Sequence, residues 1–97
     1  YAVGARGCFS VTANVAFTRV LEIFHLFSTG EVAAARHADE ALRPLSRALF
    51  SEVNPVPVKA ALSLLGTTEE GMRPPLTPLS PDKKREIVKA LVRLRII

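Results

Sequence analysis

The chain has 97 residues, 48% of them hydrophobic and 23% charged, which is enough for one small domain with a modest core. No apolar run is long enough to span a bilayer and no stretch has the charged start and apolar centre of a signal peptide, so a soluble, cytoplasmic chain with no membrane partner is expected. A net charge of +4 raises nucleic acid as a possible partner, while a single cysteine excludes an internal disulfide and a structural zinc site.

The chain opens on Tyr1, a few residues before a turn at Gly4-Ala5-Arg6-Gly7. The short run Cys8-Phe9-Ser10-Val11 follows and reads as a strand buried on both faces, the kind found in parallel sheets covered by helices. One parallel strand cannot pair with itself, so its sheet is expected to lie outside this chain, which then reads as a piece of a larger protein. Cys8 is expected to be a buried filling side chain rather than a nucleophile, because no activating neighbour is evident.

Helical spacing takes over at Phe17, Val20, Leu21, Phe24 and Phe27, with Gly30 suited to the C-terminal cap. A second helix opens near Glu31 and places Val32, Ala35, Ala38, Leu42, Leu45 and Leu49 on one face. Pro44 falls inside that pattern and should kink or split the helix, since proline removes a backbone donor and clashes with the preceding turn. Asn54-Pro55 predicts a third helix, with Asn54 as N-cap, Pro55 at the first position and Pro57 in the first turn. That helix should run to about Leu65 and stop at Gly66. Thr67 to Leu79 reads as a loop containing Pro74, Pro75 and Pro78. Ser80-Pro81-Asp82 then starts a last helix, with Ile87, Leu91 and Leu94 on one side and Arg85, Lys89 and Arg93 on the other.

The chemistry-bearing residues are sparse. The Arg85, Lys89, Arg93 stripe lies opposite an apolar face and carries no aromatic, which favours a solvated surface over a nucleic-acid reader. His25 and His37 have no partners at metal-ligand spacing, so no metal is expected. Glu69 and Glu70 sit side by side in a loop, without the spacing of an acid/base pair. Lys59 lies one turn into a helix, where a surface or interface role suits it better than a Schiff base. Thr12 and Asn14 stand at the C-terminal end of the expected strand, the end where barrel enzymes build their sites; capping the next helix is an equal alternative.

Four segments carry a family resemblance, in order. Gly4 to Val15 resembles the eighth barrel strand of the dihydrodipicolinate synthase (4-hydroxy-tetrahydrodipicolinate synthase) family. Leu42-Arg43-Pro44-Leu45 with Ala48-Leu49-Phe50 is similar to the next helix of that family, and Asn54 to Lys59 and Arg73 to Ser80 resemble two later segments. The resemblance implies an α/β fold: the C-terminal part of a (β/α)8 TIM barrel. Residues 1–29 would form the last strand and its helix, and 30–97 a mainly helical C-terminal region. It also implies a cytoplasmic, homotetrameric lyase of lysine and diaminopimelate biosynthesis, with pyruvate and aspartate semialdehyde as substrates and no cofactor, metal or nucleic acid. Its Schiff-base lysine and proton-relay tyrosine would lie upstream of Tyr1, leaving no catalytic residue here and the chain inactive alone.

By the same resemblance Phe9 would line the pyruvate pocket through its backbone, with Ser10, Thr12, Asn14 and Asn54 at the pocket edge. The chain departs from the family in having Phe9 in place of a smaller aliphatic residue and Phe17 in place of a small residue or proline. Two rival readings remain at this point. A related pyruvate-dependent aldolase, of the N-acetylneuraminate lyase or keto-deoxy sugar acid type, would keep the barrel and change the substrate. A free-standing basic helical binding module would fold alone and bind its partner in a salt-dependent way.

Overall fold

The computed structural model describes residues 1–97 and contains four helices and no strand: α1 (Ala13–Ser28), α2 (Val32–Leu49), α3 (Val56–Leu64) and α4 (Pro81–Arg93). α2 packs against the other three, and α3 lies against α4 and α1. Leu45 and Leu49 of α2, Val56 of α3, and Ile87 and Leu91 of α4 are fully buried, and Ala60 and Ala61 of α3 complete the centre. The same cluster takes in Val15 and Ala16 from the first turns of α1 and Leu79 from the segment before α4.

The expected strand at Cys8–Val11 is absent. No backbone amide from Ala5 through Thr12 donates to a backbone carbonyl, and Cys8 is exposed rather than buried. The reason is the one that made the run look incomplete: a ladder needs a second strand, and this chain supplies none.

Three helix ends are closed by the same device. After α1, Gly30 N–H donates to Phe27 and Glu31 N–H to Leu26, with Gly30 at φ 84°. After α3, Gly66 (φ 70°) and Thr67 repeat the pair onto Ser63 and Leu62. These 5→2 and 6→1 bonds satisfy carbonyls that the helix leaves free, and glycine takes the left-handed φ without a Cβ clash. α4 closes in the same way through Arg95 and Ile96, but with Arg95 at φ 55°. Arg95→Gly should therefore stabilise the chain by about 0.5 kcal/mol, the relief of the left-handed strain less the larger entropy glycine loses on folding. A urea titration followed by circular dichroism reads that shift.

Pro44 does not split α2, which runs unbroken from Val32 to Leu49. Leu42 on one side of the proline and Leu45, Ala48 and Leu49 on the other are buried in one core. That burial outweighs the one lost N–H, whose would-be acceptor belongs to the exposed residue Glu40. The irregular helix is α1 instead, where Ala16 (φ −134°, ψ 51°) breaks the helical path one turn from its start.

Asn54 is not the N-cap of α3. A turn closed by Val56 N–H on the Val53 carbonyl at 3.0 Å comes first, and Pro55 occupies the cap position. Before α4 the cap position falls on Ser80 as expected, but its hydroxyl donates to Glu52 Oε1 at 2.9 Å rather than capping a helix amide.

The molecule is more open than its mass requires. It presents 6656 Å² to solvent, where a compact monomer of this mass would present roughly 5,400 Å². Its radius of gyration of 14.4 Å likewise exceeds the roughly 12.5 Å of a compact chain this long. Much of the excess is apolar: Phe17 and Leu21, two members of the expected core stripe of α1, are 63% and 52% exposed.

Candidate functional site

Three of the five residues expected at a site gather where the N-terminal segment enters α1. Ser10 Oγ accepts the Ala13 N–H at 3.1 Å, a side-chain bond onto the first residue of α1. Asn14 Nδ2 reaches back to the carbonyls of Val11 (3.1 Å) and Ser10 (3.3 Å), which fixes the turn from its other side. Thr12 therefore occupies the cap position without a capping bond from its hydroxyl, and Ser10, another pocket-edge candidate, holds the first helix amide in its place.

Thr12 is the one buried polar residue, 6% exposed, and its hydroxyl meets that of Ser46 on α2 at 3.1 Å. A buried hydroxyl without a partner is costly, so this bond fixes where the turn sits against α2. A cleft of about 180 Å³ opens beside it, lined by Ser10, Thr12, Asp39 and Ser46 among apolar side chains of α1 and α2.

Phe9 and Asn54 are not drawn in. The Phe9 side chain stands free in solvent, and Asn54 is exposed in the turn before α3, outside the lining of the cleft. Ser46 is the residue that sequence reasoning missed. It sits one position from Leu45 on an amphipathic helix, and nothing in the pattern marks it as Thr12's partner 34 residues away.

The remaining charged candidates have structural tasks. Lys59 Nζ donates to the Gly71 carbonyl, and Lys84 pairs with Glu70, so two lysines hold the Thr67–Leu79 loop against α3 and α4. Arg85 pairs with Asp82, and Lys89 with Glu86 at 3.0 Å, both one turn apart along α4 and well exposed. Two members of the basic stripe are thus neutralised locally on a solvated face. No three His, Cys, Asp or Glu side chains come together in a way that could hold a metal ion, and no helix is long and apolar enough to cross a membrane.

Against known proteins, the sequence model described as the dihydrodipicolinate synthetase family matches residues 1–94. The chain belongs to this family. Among its relatives, the 4-hydroxy-tetrahydrodipicolinate synthase of Methanopyrus kandleri is 43% identical over 96 residues, covering 99% of this chain and 32% of the relative. The synthase of Thermotoga neapolitana is 44% identical over 90 residues, covering 93% of this chain and 30% of the relative. The crystal structure of dihydrodipicolinate synthase from Thermotoga maritima superposes with a TM-score of 0.96 at 36% identity, covering 99% of this chain and 32% of that one.

The chain thus spans about a third of the length of the dihydrodipicolinate synthase relatives it matches. Its four helices correspond to part of a TIM-barrel enzyme, which agrees with the barrel assignment from the sequence except for the missing strand.

Proposed function

We propose that this chain is the C-terminal part of a 4-hydroxy-tetrahydrodipicolinate synthase, a lyase that condenses pyruvate with aspartate semialdehyde in lysine and diaminopimelate biosynthesis. The observation that carries the reading is the superposition on the Thermotoga maritima synthase, which takes in 99% of this chain. In this reading residues 1–29 supply the last barrel strand and its helix, and residues 30–97 the helical region that backs them. The Schiff-base lysine and the proton-relay tyrosine come from preceding barrel segments, and the parent is a cytoplasmic homotetramer.

Two features favour it. The amides of Ala5 through Thr12 have no backbone acceptor, which suits a segment that becomes a strand beside neighbouring strands. Phe17 and Leu21, with half-buried Phe24, form an apolar row one and two turns apart, which suits a helix resting on a barrel wall. Phe9 then contributes its backbone to the pyruvate pocket. Ser10 and Asn14 hold the turn behind it, Thr12 anchors the turn to Ser46, and Asn54 approaches the edge from the start of α3.

The test is turnover by the full-length protein. Pyruvate should be consumed only when aspartate semialdehyde is present, and borohydride should trap pyruvate on a lysine preceding Tyr1. The 97-residue chain alone should show neither. Turnover of a sugar acid in place of aspartate semialdehyde would move the assignment to the related aldolases, and absence of both activities would remove it.

A further inference from the structure

We propose that the groove between α2 and α4 is a binding site for a small molecule carrying two or more adjacent anionic groups, of the diphosphate type. The groove has a volume of about 410 Å³, within the ordinary range for small-ligand sites. Arg47 lines it from α2, and Lys83, Lys89 and Arg93 line it from α4. One acid, Glu86, shares the lining and is engaged by Lys89 at 3.0 Å.

Arg47, Lys83 and Arg93 form no ion pair, as Arg6, Arg36, Arg73 and Arg95 also do not, but these three share the lining of one groove. Like charges on facing helices raise one another's energy unless counter-charge lies between them. The helix dipoles account for Arg47 and Arg93, which stand in the last turns of α2 and α4. They do not account for Lys83, which stands in the first turn of α4, against the dipole. Ser51 lines the same groove, and its hydroxyl has no hydrogen-bond partner in the chain.

Three unpaired cations and an unpartnered hydroxyl call for more than one anionic centre in a small volume. Arginine forks and a lysine ammonium together suit phosphoryl oxygens. No aromatic side chain lines the recess, so it lacks the stacking platform of a single-strand nucleic-acid track. The proposal rests on these local charges and not on the enzymatic reading above.

Isothermal titration of the full-length protein with inorganic pyrophosphate tests it by binding alone, whatever the activity. One saturable site is expected, weakened at least tenfold by Arg47→Ala or Arg93→Ala and abolished by Lys83→Glu. Arg43→Ala, which removes a cation already paired with Asp39 and outside the groove, should leave it unchanged. Circular dichroism identical to the parent's shows that each variant has kept its helices. Absence of saturation overturns the proposal, as does equal weakening by Arg43→Ala. Tighter binding of a single-stranded oligonucleotide that grows with its length also overturns it, in favour of a nucleic-acid surface.

Discussion

Leu45→Ala lowers the stability of the helical cluster by about 3 kcal/mol, the middle of the range for removing a fully buried leucine. Leu45 is 0% exposed and sits in the C-terminal half of α2, the helix that touches all three others. Truncation removes a side chain from the core cluster that all four helices share and leaves a cavity there. A chain of 97 residues has roughly 5 kcal/mol of net stability at the low end of the usual range, so the loss is more than half of it. The midpoint of urea unfolding, followed by the helical signal, should fall accordingly. Val32→Ala is the control: Val32 lies at the start of the same helix, is 49% exposed, and should move the midpoint by less than about 0.5 kcal/mol. Equal shifts for the two variants would mean that α2 is not the organising element of the core.

Local chemistry was the legible part of this fold. Gly30 and Gly66 end helices for a reason that depends on one residue's φ, and Pro81-Asp82 starts one for reasons contained in two residues, although the Ser80 hydroxyl goes to Glu52 instead of capping. The α2 face was legible because Ala35, Leu42, Leu45 and Leu49 repeat at helical spacing and are all buried. Where the outcome depended on residues far apart, the sequence misled. Pro44 reads as a breaker until the buried leucines on both sides of it hold α2 together. Asn54 reads as a cap, yet the chain turns at Val53–Val56 before the helix begins. The site followed the same division. Thr12 and Asn14 stand out by their place at the end of an apolar run and Ser10 enters only through the family resemblance, whereas the Thr12–Ser46 bond reaches across to α2 and leaves no mark on the sequence. The strand was misjudged for the opposite reason. The run is apolar as a buried strand would be, but no second strand lies in this chain to pair with it.

The apolar row on α1 turns that last point into a measurement. Phe17 and Leu21 are 63% and 52% exposed, so replacing both with serine removes only the covered part of each side chain from the 97-residue chain and should cost it about 1–2.5 kcal/mol. If α1 rests on a barrel wall, the same pair is buried in the full-length protein. Burying a phenylalanine and a leucine contributes about 1.5–3 kcal/mol each, so the double variant should cost the full-length protein about 3–6 kcal/mol. The midpoint of thermal or urea unfolding should drop about twice as far in the long protein as in the short one. The two-sided form of the test matters, because a row that packed on α2 or simply faced water would cost both proteins alike. Only a helix with one face on this chain's own core and the other on absent strands gives the unequal result, and equal drops in the two proteins would remove the physical support for placing α1 against a barrel.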